Sequence, residues 1–242
     1  MAQAYDYLSD LFEILNDDCD YEKWSQYFIE KLSFLHAGKR GLEIGCGSGP
    51  FCRALTKAGY VMTGADISAP MLTKATALAR REGLFINFIL ADAVSIQTGD
   101  KFDFVISPND CYNYIAPQKL AAAFRKASAC LKRGGIFWFD LSSEYKLRTK
   151  VANNICADDR DAVTYLAFNS LYDDRVEMDV TLFVRETDGR YLRRDEKHIQ
   201  YIHGEEFVLN ALSPFFEVLR VEGHLGEGKE NSDRLNFICR KK

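Results

Sequence analysis

Three acidic residues stand in or just after short hydrophobic runs: Glu43 in Leu42-Glu43-Ile44, Asp66 in Gly64-Ala65-Asp66, and Asp92 in Ile89-Leu90-Ala91-Asp92. The first run leads straight into Gly45-Cys46-Gly47-Ser48-Gly49-Pro50. Glycine lets a chain turn sharply and lets backbone approach a ligand with no Cβ in the way. A helix opening at Pro50 would offer unpaired N–H groups and the positive end of its dipole to a carboxylate or phosphate. Asp66 lies about 20 residues beyond the turn, where a carboxylate can accept from ribose hydroxyls. Asp92 is placed to reach the exocyclic amine of an adenine. Taken singly, each aspartate is explained as a helix cap or a solvated loop residue. Taken together, at the carboxyl ends of successive strands, the three acids describe a nucleoside site. A dinucleotide turn, G-x-G-x-x-G/A, would place glycine or alanine where this chain has Pro50, so a pyrophosphate fits the turn poorly.

Such a site requires parallel strands that end side by side. The hydrophobic pattern predicts strands at 41–44, 61–65, 86–90, 102–106 and 136–139, separated by helices at 50–57, 68–81 and 117–131. Ser68 and Pro70 suit the cap and first turn of the second of these helices, and Gly134-Gly135 punctuates the end of the third. Two amphipathic helices, at 5–15 and 21–34, open the chain, with Asp20 as cap of the second. From 163 to 201 the pattern changes to strands joined by turns at Asp173-Asp174 and Asp188-Gly189, and residues 176–184 alternate apolar and polar. A helix at 205–212 and strands at 217–221 and 235–239 complete the chain. The expected fold class is α/β: a doubly wound, mostly parallel seven-stranded sheet carrying a small inserted antiparallel β-sheet. The expected organisation is a cap of N-terminal helices (1–36), a ligand-binding domain (37–150 with 204–242) and the inserted sheet (151–203).

Composition narrows the function from the other side. The 242 residues are 47% hydrophobic and 27% charged, as in an ordinary globular protein. Seven cysteines without a C-x-x-C pair give no zinc pattern and no disulfide framework, so the expectation is no metal and a reducing compartment. No apolar run has the length of a membrane span, and the N-terminus has no signal-peptide pattern, which gives a cytoplasmic expectation without membrane partners. A net charge of −4 disfavours nucleic acid, whose phosphates call for clustered Lys and Arg.

The stretch from Arg40 to Asp140 resembles the class I S-adenosylmethionine-dependent methyltransferases. Leu42–Gly49 is similar to their first motif, E/D-x-G-x-G-x-G. Gly64–Ser68 with Met71, Leu72 and Ala75 resembles their second strand and following helix, and Asp92 their adenine motif. Phe102–Val105 resembles the fourth strand and Leu131–Gly135 the turn into the fifth. The flanks, in Tyr21–Trp24, Asp110–Tyr114, Glu196–His198 and Ser232–Arg234, are similar to small bacterial methyltransferases of unassigned substrate. The resemblance implies S-adenosylmethionine as cofactor. Gly45, Gly47 and Gly49 would line its methionine part, with Glu43 organising the turn. Asp66 would hold the ribose, Ile67 and Met71 would pack by the adenine, and Asp92 with the Ala93 N–H would meet the base. Backbone near Asn109 would face the methionine amine.

A base is needed only if the acceptor arrives protonated. His198, Glu196, Asp110 and Tyr112 are the candidates, and Glu196 and His198 would share one face of a strand. Tyr112 and Tyr114 could stack on a planar acceptor. Ser107-Pro108-Asn109-Asp110 is similar in part to the [DNS]-P-P-[YF] motif of base-amine methyltransferases, but lacks the second proline and the aromatic. The expectation is methyl transfer to N or O of a small-molecule acceptor, covered by the inserted sheet, in a monomer or homodimer. The alternatives are an RNA or protein methyltransferase, a nucleotide-dependent oxidoreductase, and a cofactor-binding module without catalysis.

Overall fold

The computed structural model describes residues 11, 14, 15 and 19–242. The helix expected at 5–15 therefore lies outside the described residues, except for Leu11, Ile14 and Leu15. Helix α1 (Tyr21–Phe34) follows, capped by the Asp20 carboxylate, which accepts from Lys23 N–H. Strand β1 (Arg40–Ile44), helix α2 (Pro50–Lys57), β2 (Val61–Asp66), α3 (Ala69–Arg81), β3 (Asn87–Leu90), β4 (Phe102–Ser107), α4 (Pro117–Cys130) and β5 (Leu131–Ser142) then alternate. Strands β6 (Ile155–Arg160), β7 (Val163–Leu171), β8 (Arg175–Arg185) and β9 (Tyr191–Tyr201) form a separate antiparallel sheet. Helix α5 (Glu205–Leu212) returns the chain to the main sheet, which β10 (Phe216–Glu222) and β11 (Arg234–Lys241) complete.

The main sheet has the order β10-β11-β5-β4-β1-β2-β3. Strands β1 to β5 pair parallel, while β11 and β10 pair antiparallel. The order reverses between β1 and β4, so the crevice at their carboxyl ends is the topological switch point where ligands bind in open α/β sheets. Ser107 at the end of β4 ties the two strands there by donating its hydroxyl to the Ile44 carbonyl at 2.7 Å.

Period-2 alternation divides the apolar residues of these strands between two layers. Val105, Phe137, Phe139 and Phe237 pack under α4 and α5 through Leu120, Phe124, Val208 and Leu212. Phe104, Ile106, Trp138 and Ile238 pack under α1 and α2 through Trp24, Phe28, Leu32, Phe51 and Leu55. Each fully buried side chain of this size contributes about 1.5–3 kcal/mol, so both faces of the sheet are held firmly.

Two elements depart from the sequence expectation. Strand β5 begins at Leu131 rather than at 136, because Leu131 pairs with Phe102 and Ile136 with Phe104. Residues 132–135 bulge between those pairs, with Gly134 at φ 74, so the two glycines shape a bulge instead of ending a helix. Strand β6 was not expected at all. It is a largely exposed edge strand, and its hairpin to β7 turns through Asp161-Ala162 without a glycine signal. The inserted sheet buries Val163, Ala167, Val180 and Leu182 on one face, with Leu11 packed against them.

Candidate functional site

The turn after β1 supplies the floor of a cavity of about 410 Å³ at the switch point. Gly45 and Gly47, at φ 75 and 52, occupy the left-handed region that side chains disfavour. A Cβ on Gly45 would collide with Cys111, whereas one on Gly47 would meet no protein atom within 4 Å and would occupy cavity space. Gly49 also has a positive φ, but it faces Phe88 and Ala75 and does not line the cavity. The Gly45 and Cys46 N–H groups donate to the Ala65 carbonyl, which locks the turn to the end of β2.

Asp66 ends β2 against this turn. Gly47 N–H donates to its Oδ2 at 2.7 Å and Ser68 N–H to its Oδ1 at 2.8 Å. A carboxylate offers about four lone-pair sites, so acceptor capacity remains for a ligand. Burial raises its pKa, and the Ser68 and Gly47 N–H groups oppose that shift. Ile67 and Met71 line the cavity beside it, and Ser68 caps α3 by accepting from Met71 N–H. Asp92 and Ala93 form the next wall, past the end of β3. Asp92 Oδ1 accepts from Val94 N–H at 3.0 Å, which fixes its own loop.

Glu43 is 1% exposed and does not line the cavity; it sits within β1, behind the turn. Its Oε2 has no hydrogen-bond partner among the described residues. Burial pushes its pKa up to about 8 from an ordinary 4.5, against hydrogen bonding with Cys52. The native state therefore holds this proton more tightly than the unfolded chain does. The stabilising share of that proton is complete below 4.5 and is lost as pH rises through about 8. Glu43→Gln should flatten this part of the stability profile. Urea midpoints measured across the interval should fall less with pH in the variant than in the parent; equal slopes would contradict the assignment.

The chain leaving β4 forms the opposite wall. Asn109 and Asp110 take successive left-handed conformations, φ 65 and 52, before a 3₁₀ turn over Cys111–Tyr114. Two consecutive residues of this kind need outside support. Asp140, on β5, supplies part of it by accepting from Asn109 N–H at 3.1 Å and Asp110 N–H at 2.6 Å. Arg234, at the start of β11, supplies the rest. Its Nη1 lies 2.8 Å from Asp110 Oδ1 and 3.2 Å from Asp140 Oδ1, and its Nη2 donates to Asn109 Oδ1 at 2.8 Å. The Trp24 ring of α1 covers the guanidinium. Asn113 pins the 3₁₀ turn to both sheets, donating to the carbonyls of Ser142 and Tyr201.

Strand β9 closes the site with an unusual face. Glu196, His198 and Gln200 alternate inward and are all buried. Gln200 donates to Asp110 Oδ2 at 2.6 Å, and His198 bridges Glu196 and Tyr114. Of the acceptor-side residues, Asn109, Cys111, Tyr114, Ile115 and Tyr201 line the cavity.

The four base candidates separate clearly. Tyr112 is 0% exposed and stacks on Phe124 in the core, where burial raises its pKa well above the ordinary value; it is a packing residue. Asp110 has both oxygens engaged, by Arg234 and Gln200, and is a strut of the loop. Glu196 and His198 are paired and do not line the cavity, whereas Tyr114, which His198 contacts, does. Cys111 lines the cavity as a neutral thiol, since burial pushes it up to about 12. Tyr201, Lys119 and the Arg234 clamp were not singled out from sequence. The signals for the clamp were the stretches Asp110–Tyr114 and Ser232–Arg234 and the period-2 polar run Glu196-x-His198-x-Gln200, whose last residue binds Asp110. No group of metal-binding side chains occurs among the described residues, and none of their helices is long and apolar enough to cross a membrane.

Residues 42–135, which hold the glycine turn and the acids of this site, match the methyltransferase domain family. A protein of Geobacillus sp. (strain WCH70), described as a methyltransferase by name alone, is 27% identical and aligns over 98% of this chain and all of its own length. An S-adenosylmethionine-dependent methyltransferase from Clostridium acetobutylicum ATCC 824 superposes with a TM-score of 0.88 at 29% identity, covering 96% of each chain. The sugar N-methyltransferase KedS8 from Streptoalloteichus sp. shares the fold, with a TM-score of 0.82 at 18% identity over all of this chain and 96% of its own. Sequence and fold agree: the chain is an S-adenosylmethionine-dependent methyltransferase, and its residues 42–135 are those of the methyltransferase domain.

Proposed function

We propose that the enzyme methylates nitrogen or oxygen of a small molecule held between the strand ends and β9. The observation that carries this reading is the cavity itself. It is concave and mainly apolar, and it runs from Asp66 and Asp92 to Tyr114 and Tyr201, a range of size and lining typical of small-molecule sites.

When bound, S-adenosylmethionine supplies a methyl group already activated by its sulfonium. The residues fit it: Asp66 has acceptor capacity for the ribose diol, and Ile67 and Met71 offer apolar surface to the adenine. Asp92 would accept from the adenine amine, with Ala93 N–H meeting a ring nitrogen. Gly45 and Gly47 leave the room that the methionine part requires, and the Asn109 segment borders its amine. What the protein then contributes is position, a term that reaches about 7–11 kcal/mol in well-oriented reactions. The clamp on Asn109 and Asp110, the docking of β9 and the Tyr114 ring keep the acceptor in line and exclude water.

The test is transfer of methyl-labelled cofactor into a cell extract, followed by ultrafiltration and digestion. Label should accumulate in the low-mass fraction. Label retained with RNA or protein, and released only by nuclease or protease, would replace this reading with a macromolecular one.

A further inference from the structure

One buried chain of side chains ends at the cavity. Glu196 Oε2 lies 3.0 Å from His198 Nε2, and His198 Nδ1 lies 3.1 Å from the Tyr114 hydroxyl. Glu196 is 2% exposed and His198 4%, whereas the Tyr114 ring forms part of the cavity wall. A carboxylate only accepts, so Glu196 fixes Nε2 as the protonated nitrogen. That leaves Nδ1 with its lone pair toward Tyr114, whose hydroxyl donates to it. With its own proton committed to His198, the phenolic oxygen offers the cavity only acceptor capacity.

Burying a carboxylate and an imidazole on an inner sheet face is costly unless each is paired. The same sheet buries Val163, Val180 and Leu182 nearby, so an apolar pair was structurally available at these positions. The polar chain instead leads from the cavity wall to a buried proton sink.

Resting on the small-molecule reading above, we infer that Tyr114, His198 and Glu196 form a proton relay for a hydroxyl acceptor, making this enzyme an O-methyltransferase. A neutral amine attacks with a lone pair it already has and sheds its proton afterwards. A hydroxyl oxygen is a weak nucleophile unless its proton departs as the new bond forms. As the carbon–oxygen bond forms, the carbon–sulfur bond breaks and its electron pair stays on sulfur. The acceptor proton passes to Tyr114 Oη and the proton of Tyr114 to His198 Nδ1. The resulting imidazolium is held by Glu196 until it releases the proton to water. Tyr114 is the catalytic residue; His198 and Glu196 act through it.

Other groups surround the relay. Met178 and Val180 of β8 face His198 and Glu196 across the sheet. Tyr165 of β7 lies close enough to Glu196 for the carboxylate to add to the rise that burial causes in its pKa, to about 12. Gln200, two residues past His198, donates to Asp110, which is paired with Arg234. On the outer face, Lys197 pairs with Glu177, and Asp195 with Arg193.

The test compares product formation from S-adenosylmethionine with two probe panels, phenols and glycosides bearing free hydroxyls against amino sugars and alkylamines. Turnover is expected with hydroxyl probes, and Tyr114→Phe should lower kcat by roughly 10²–10⁴ while KM stays nearly constant. His198→Gln should lower kcat by a similar factor while KM stays nearly constant. Calorimetric affinity for S-adenosylmethionine should be nearly unchanged in both variants. In the cofactor-free protein, nitrogen NMR should find Nε2 of His198 protonated and Nδ1 bare, with only the Nδ1 signal moving in Tyr114→Phe. Turnover confined to amines, turnover with neither panel by a protein that binds the cofactor, near-normal kcat in Tyr114→Phe, or protonated Nδ1 would each overturn the relay. Failure of the parent protein to bind S-adenosylmethionine would instead remove the methyltransferase reading beneath it.

Discussion

Asp66→Ala should lose S-adenosylmethionine binding by at least an order of magnitude while the protein stays folded. The carboxylate has acceptor capacity beyond that used by Gly47 and Ser68, and a ribose diol has two hydroxyls to give. Hydrogen bonds to a charged group are worth about 1.5–3 kcal/mol each, so removing the acceptor costs roughly 10- to 150-fold per bond. The same substitution frees the Gly47 and Ser68 N–H groups. Gly47 lines the cavity, where water can replace the lost acceptor, and Ser68 keeps its capping bond to Met71 N–H, so the stability loss should remain small. Asp92→Ala should weaken binding less, because one base contact is at stake rather than two ribose contacts. Calorimetric titration with the cofactor and its demethylated product, beside urea denaturation, measures both quantities. An Asp66→Ala protein that binds normally, or one that does not fold, would contradict the assignment.

Arg234→Met should have the largest effect on stability. One guanidinium holds Asp110, Asp140 and Asn109, residues of two different elements, and is itself stacked on Trp24 of a third. Removing one member of a buried ion pair typically costs about 3–5 kcal/mol, because the partner charge stays behind. Here two carboxylates are left. Burial already raises the pKa of Asp140, and Arg234 is the foremost group opposing that rise. Without the arginine, Asp140 would bind its proton still more tightly in the folded state. Its stabilising share is then present at low pH and lost as pH rises through the elevated value, so the deficit of the variant should grow toward alkaline pH. Arg234→Lys should fall between the two, since an ammonium cannot bridge three oxygens in the fixed geometry of a guanidinium. Denaturation midpoints at acid and alkaline pH provide the check. A deficit under about 1 kcal/mol, the scale of an exposed ion pair, would mean the clamp carries no load.

The parts of this molecule that were legible in the sequence are those governed by local rules. The main strands show as hydrophobic runs, α3 is announced by Ser68 and Pro70, and the hairpin between β8 and β9 by Asp188-Gly189. The glycine turn with Asp66 and Asp92 was readable because chain order alone places strand ends side by side in a parallel sheet. Strand β6 escaped because an exposed edge strand needs no apolar alternation. The Arg234 clamp escaped because its partners are 94 and 125 residues away in sequence. Tyr112 and Tyr114 illustrate the limit well. They are two residues apart in one motif, yet the 3₁₀ turn sends one ring into the core and the other to the cavity wall. Nothing in the sequence distinguishes a strand-like from a turn-like reading of that pair.

The most direct test of the site assignment is a crystal structure of the protein with S-adenosylhomocysteine. Asp66 should accept from both ribose hydroxyls, Asp92 should meet the adenine amine, and the sulfur should lie on the side of Asn109 and Tyr114. Adenosine bound outside this cavity, or bound in reverse with its adenine against Tyr114, would contradict it.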